Sequence, residues 1–293
     1  MPLTATLPRR AHLPSLSAHG FHRVNYWEWG DADNPRVAVC VHGLARNGRD
    51  FDVLAEALSA THRVLAVDMP GRGDSEWLAD ANDYGFATYL STLSALIARS
   101  GADRVDWIGT SMGGLLGMAM AAQTGSPVAR LVVNDVGPVI EAEAIARIAT
   151  YIGLDPTFGS FAEIERYIRA VSAPFGALTD AQWTYLTETN VRQRAGGRWG
   201  LAYDPGIAVP FRANPAPADL WGLWDAIRCP TLVLRGANSD LLSAATAAAM
   251  ANRGPRPAIV EIPGVGHAPM LLDAGQIAPV LAFLAAGNGS GTA

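Results

Sequence analysis

The chain of 293 residues contains no lysine; all 22 of its basic residues are arginines. That absence removes Schiff-base chemistry, a pyridoxal-phosphate anchor and the lysine of a P-loop together. Cysteine is almost as scarce. Cys40 sits in an apolar, strand-like run and Cys229 just before Pro230, so neither a disulfide framework nor a zinc knuckle is expected, and both thiols read as reduced and buried. No His or Cys pair has metal-ligand spacing, so neither metal nor cofactor is expected. No apolar run reaches the ~18 residues of a membrane span. The net charge is −5 with the arginines scattered, which leaves no basic stripe for nucleic acid. Arg9-Arg10 is followed by Ala-His-Leu-Pro-Ser-Leu-Ser-Ala-His-Gly. Proline and polar residues stand there where an export signal needs an apolar stretch, so the expected location is cytoplasmic.

What the chain has is a rhythm. Apolar side chains make up 49% of it, enough for one large core with an insertion. Short Val/Ile/Leu runs at 24–29, 36–41, 63–68, 104–108, 130–134, 231–235 and 258–262 read as strands. Segments at 49–59, 86–100, 111–123, 244–252 and 276–285 carry apolar residues at helical spacing. This is the pattern of an α/β fold, a mostly parallel central sheet with helices on both faces. The rhythm breaks after Asp135 and resumes at Thr231. Residues 137–225 are therefore expected to form a helical cap inserted into a core made of 1–136 and 226–293. Helical periodicity recurs there at 140–151, 161–171 and 180–194, and the segment holds four of the eight tryptophans. The last residues, Gly287 to Ala293, offer no apolar anchor and read as a mobile tail.

The sharpest local signal is Gly109-Thr110-Ser111-Met112-Gly113, which follows an apolar strand and opens an apolar helix. A serine in so tight a strand-turn-helix is held in a strained conformation, and residues two positions to either side must lack bulk. Read alone the pentapeptide is weak; its context makes it a nucleophile elbow and not a glycine-rich packing turn. The serine needs a base, and histidine suits neutral pH. Of the six histidines, His12, His19 and His22 precede the first expected strand, His62 enters a strand at the wrong edge, and His42 reads as part of a turn. His267, in the glycine loop after the last strand, shares the edge of Ser111. The base needs an orienting carboxylate. Asp240, after the strand ending at Arg235, is preferred and completes the order Ser, Asp, His. Asp135 is the competitor, its plainer reading being a cap into Gly137-Pro138. Backbone N–H groups of Leu44, after His42-Gly43, and Met112, at a helix N-terminus, are the expected oxyanion donors.

These motifs resemble the α/β-hydrolase superfamily from about Arg23 to Leu284. They are Val41 to Leu44, Asp68-Met69-Pro70-Gly71-Arg72-Gly73-Asp74-Ser75, Gly109 to Gly114, Arg235 to Asp240 and Gly264 to His267. The block at Asp68 is a structural turn in that family. More narrowly, Gly43 to Phe51 and Val133 to Pro138 resemble a bacterial esterase subgroup whose relatives act on hydroxyalkanoate oligomers or aliphatic polyesters. The resemblance implies a serine carboxylesterase with a small-molecule or oligomeric ester as its partner. Serine in place of aspartate at 111 argues against dehalogenase and epoxide-hydrolase chemistry. Arg46 is a candidate ligand for a substrate carboxylate, against a structural ion pair. The cap tryptophans, Trp183 among them, are candidates for an acyl pocket, against being the layer's own core. An acyltransferase or carbon-carbon hydrolase using the same triad, or a non-catalytic binding member of the fold, are the alternatives.

Overall fold

The computed structural model describes residues 7–213 and 219–286; the expected tail lies outside them. In chain order the strands are β1 (Arg9–Ser17), β2 (Gly20–Trp29), β3 (Val37–Val41), β4 (Arg63–Val67), β5 (Val105–Thr110), β6 (Val128–Asn134), β7 (Thr157–Phe158), β8 (Val191–Gln193), β9 (Trp199–Leu201), β10 (Thr231–Gly236) and β11 (Ala258–Ile262). Eight of them form one sheet in the order β1-β2-β4-β3-β5-β6-β10-β11. The β1–β2 and β2–β4 pairs are antiparallel and the rest parallel.

Period-two alternation sorts the strand side chains between two cores. Val37, Val39 and Val41 of β3 enter one, Ala38 and Cys40 the other. Three helices of the first half of the chain cover these faces by the same logic. Helix α1 (Asp52–Leu58) sends Leu54 and Leu58 into the second core. Helices α2 (Phe86–Ser100) and α3 (Met112–Ala121) send Leu93, Leu96 and Leu116 into the first. Burial of each such side chain contributes about 1.5–3 kcal/mol. Both faces are thus sealed, and the parallel strands turn their carboxyl ends to a common edge.

Between β6 and β10 the chain makes its long excursion, with α4 (Ala142–Ala149), α5 (Phe161–Val171), α6 (Asp180–Asn190), α7 (Ala208–Ala213) and α8 (Trp221–Ala226). Ser160 caps α5 and a Thr179/Gln182 capping box starts α6, which satisfies otherwise unpaired N–H groups. Ile164, Ile168 and Leu186 join the first core, so the excursion packs on the sheet's helical layer. Two helices follow it, α9 (Ala244–Ala251) and α10 (Ala274–Ala285), the latter placing Val280 and Leu284 in the second core.

Three departures from expectation have local causes. The N-terminal segment is strand β1, hidden by Pro14; as an edge strand it tolerates a residue that cannot donate. The excursion is not all helix, because β7, β9 and β8 form a small antiparallel sheet. The expected helix to 194 accordingly stops at Asn190 and continues extended as β8. Among the described residues no helix is long and apolar enough to cross a membrane.

Candidate active site

Ser111 is the single residue between β5 and α3, at φ 53° and ψ −115°. Its N–H is tied to the Asn134 carbonyl of the neighbouring strand at 2.9 Å. A Cβ on Gly109 would lie 2.2 Å from the Gly113 carbonyl oxygen, and one on Gly113 would lie 1.9 Å from that of Val41. Only glycine fits at either place, and the serine backbone is held in a region that costs about 1–3 kcal/mol.

The imidazole of His267, in the loop after β11, reaches Ser111. Its Nε2 lies 3.0 Å from Ser111 Oγ, and its Nδ1 lies 2.8 Å from Oδ2 of Asp135. An acceptor at Nδ1 and a hydroxyl at Nε2 assign the proton to Nδ1. Asp135 is fully buried and also accepts from the Gly236 N–H and the Ser239 hydroxyl, each at 2.8 Å. Three donors therefore satisfy a carboxylate that has no arginine beside it among the described residues.

The carboxylate on His267 is thus that of Asp135, which corrects the assignment to Asp240. The turn after β10 brings Asp240 to the excursion, with no hydrogen bond to the imidazole among the described residues. There Arg147 of α4 donates to both its oxygens, at 2.5 and 2.9 Å, and its side chain stays 42% exposed. Partial burial opposes the Asp240 charge. Hydrogen bonding and attraction from Arg147, with a smaller attraction from His267, outweigh it and hold the carboxyl below its usual range.

Gly43 lies against Ser111, since a Cβ there would be 3.5 Å from Ser111 Cβ. Its carbonyl accepts from Nδ1–H of the fully buried His42 at 2.6 Å, while His42 Nε2 accepts from the Met69 N–H at 3.0 Å. Burial, aided by the nearby Arg72 and Arg46 guanidinium groups, pushes His42 down to about 3. The neutral ring therefore holds the Gly43–Leu44 peptide by its carbonyl, and in a trans peptide the Leu44 N–H points the opposite way. Sequence reasoning passed over Arg72. It is completely buried with no carboxylate partner among the described residues, lies against the rings of Tyr84 and Tyr89, and donates to the carbonyls of Leu44 and Pro70. Its one visible signal was its place as the single cation of the Asp68 to Ser75 turn.

Ser111 stands where two chambers meet. One, of about 130 Å³, sets the polar side chains of His267, Arg46, Asp50 and Arg147 among apolar ones such as Ile148 and Ile168. The other, of about 500 Å³, is apolar and takes in Leu44, Met112, Leu115, Phe86, Phe211 and Leu223. Arg46 is present but locked, paired to Asp50 at 2.6 and 2.8 Å and laid over Phe175. Trp183 lines neither chamber. It is buried under Arg169 as part of the excursion's core, so its expected substrate contact is corrected.

The model of the alpha/beta hydrolase family matches residues 38–280. A 3-hydroxybutyrate-oligomer hydrolase of Cupriavidus necator is 48% identical over 280 residues, which is 92% of this chain and 96% of that protein. Among solved structures, an alpha/beta hydrolase from Novosphingobium aromaticivorans superposes with a TM-score of 0.86 at 38% identity, over 96% of this chain and 99% of that one. A putative hydrolase from Rickettsia typhi gives a TM-score of 0.88 at 28% identity with the same coverage.

Proposed function

Because the chain belongs to the α/β-hydrolase family and is a hydrolytic enzyme, we propose that it cleaves the ester bonds of 3-hydroxybutyrate oligomers through an acyl-enzyme on Ser111. The observation that carries this reading is the unbroken line of hydrogen bonds from Asp135 through His267 to Ser111 at the meeting of the two chambers. The substrate class rests on the Cupriavidus relative.

In this mechanism His267 Nε2 takes the hydroxyl proton as Ser111 Oγ attacks the ester carbonyl carbon. Asp135 keeps Nδ1 protonated and stabilises the imidazolium. The N–H groups of Leu44 and Met112 receive the oxyanion; loss of one such donor costs about 3 kcal/mol in barrier. His42 and Arg72 hold the Leu44 segment by its carbonyls. Collapse breaks the carbon–oxygen bond to the alcohol, which leaves with the proton from Nε2. A water, deprotonated by His267, then attacks the acyl carbon, releases the acid and regenerates Ser111.

Residues 137–225 serve as a cap over a core made of 1–136 and 226–293, with α4 and α5 roofing the smaller chamber through Arg147 and Ile168. We read the setting as cytoplasmic, which the free thiols Cys40 and Cys229 support.

The test is fluorophosphonate labelling of the native chain and Ser111→Ala, with hydrolysis of 3-hydroxybutyrate dimer and trimer and of p-nitrophenyl butyrate. Labelling lost in the variant, with release of 3-hydroxybutyrate by the native enzyme, is the expected result. A folded native chain that takes no label overturns the reading.

A further inference from the structure

Resting on that reading, we infer that Arg147 is a carboxylate subsite, that Asp240 holds its place when substrate is absent, and that oligomers are shortened from their carboxylate end.

The two chambers differ in charge. The described residues lining the larger one include no charged side chain, whereas the smaller holds Arg46, Asp50 and Arg147 beside Ser111 and His267. Arg46 is committed. Its partner Asp50 is only 9% exposed, and the pair is clamped at both nitrogens and stacked on Phe175. Arg147 is held differently. Its side chain is 30% exposed, its only carboxylate partner among the described residues is Asp240, and that side chain is 42% exposed. An ion pair so open to water is screened and exchanges partners at lower cost than the buried Arg46–Asp50 pair. An incoming carboxylate can therefore take the same planar, two-pronged donor while Asp240 is released to solvent, one anion exchanged for another.

A linear 3-hydroxyacid oligomer carries a hydroxyl at one end and its single charge at the other. The carboxylate-terminal unit is joined to the rest through its own 3-oxygen, so it is the alcohol part of the last ester bond. Its carboxylate carbon stands three bonds from that ester oxygen. Arg147 and Ser111 line the same chamber, so a carboxylate on Arg147 presents the last ester bond to Ser111. The leaving unit occupies the smaller, charge-bearing chamber and the rest of the chain, uncharged, runs into the larger one. Each turnover consumes one water and releases one 3-hydroxy acid. Hydrolysis of the acyl-enzyme creates a new terminal carboxylate on the shortened oligomer, which can be presented to Arg147 again.

The experiment compares 3-hydroxybutyrate trimer with its methyl ester, using native enzyme, Arg147→Gln and Asp240→Asn. The readout is the ratio of the two kcat/KM values, in which any general loss of folding or catalysis cancels. The native enzyme is expected to favour the free acid by about tenfold, the scale of one well-formed charged pair set against a weak one. A label on the hydroxyl end should remain in the first dimer formed. Arg147→Gln should bring the ratio close to one, and Asp240→Asn, by removing the competitor, should raise it above the native value. Equal cleavage of both substrates by the native enzyme, or a preference that survives in Arg147→Gln, overturns the subsite and leaves oligomer hydrolysis standing. Cleavage of neither trimer by an enzyme that takes fluorophosphonate overturns the oligomer reading and the subsite with it.

Discussion

Two aspartates follow adjacent strands at the same edge of the sheet, and their surroundings differ sharply. Asp135 comes straight after β6 in a left-handed conformation, at φ 57°, fully buried and fed by an imidazole, a hydroxyl and a backbone N–H. Asp240 lies at the far end of the turn after β10, exposed and held by one arginine from α4. In a low-dielectric setting a carboxylate acts strongly on a neighbouring imidazolium, and fixed donors keep it in place. In water the same charge is screened. The environment, more than the strand that carries an acid, decides whether it can hold a histidine's tautomer.

Substitutions can break or sharpen this contrast. Asp135→Asn should lower kcat on p-nitrophenyl butyrate by about 10⁴, because the amide no longer enforces the Nδ1–H tautomer; a thermal melt distinguishes this from unfolding. Ser239→Ala removes one of the three donors to Asp135 and should cost roughly tenfold in kcat/KM, the worth of a hydrogen bond to a charged group. Asp240→Asn should cost under about threefold on the same neutral ester, as expected for a screened charge.

The effect of burial extends to His42, where it is read in stability. Its folded pKa, about 3, is depressed below the ordinary 6.5. The unfolded chain therefore takes up a proton that the folded one refuses. The stability this residue contributes is whole above pH ~6.5 and is lost as pH falls toward 3. His42→Gln should lose less melting temperature than the native chain between pH 7 and pH 4.5, a comparison made by calorimetry.

Much of the site was legible because steric rules are local. Gly109 and Gly113 could be read as obligatory from the elbow alone, and His267 as the histidine at the proper edge. The acid was harder. Two candidates share that edge, and which one curls beneath the imidazole depends on the backbone at residue 135 and on Ser239, a neighbour of Asp240 whose hydroxyl serves Asp135 instead. Arg72 was hidden inside a turn motif, its role set by burial and by the carbonyls that converge on it. Trp183 shows the opposite error, since an aromatic in a small layer fills that layer's core first. The small β7-β9-β8 sheet was invisible because strands of two or three residues carry too few positions to show a period.

The most direct test of the central claim is the low-field proton NMR signal of the His267 Nδ1–H, recorded in the native chain, Asp135→Asn and Asp240→Asn. The account predicts a signal in the native chain and in Asp240→Asn and its loss in Asp135→Asn. A signal that survives Asp135→Asn and vanishes in Asp240→Asn would contradict it.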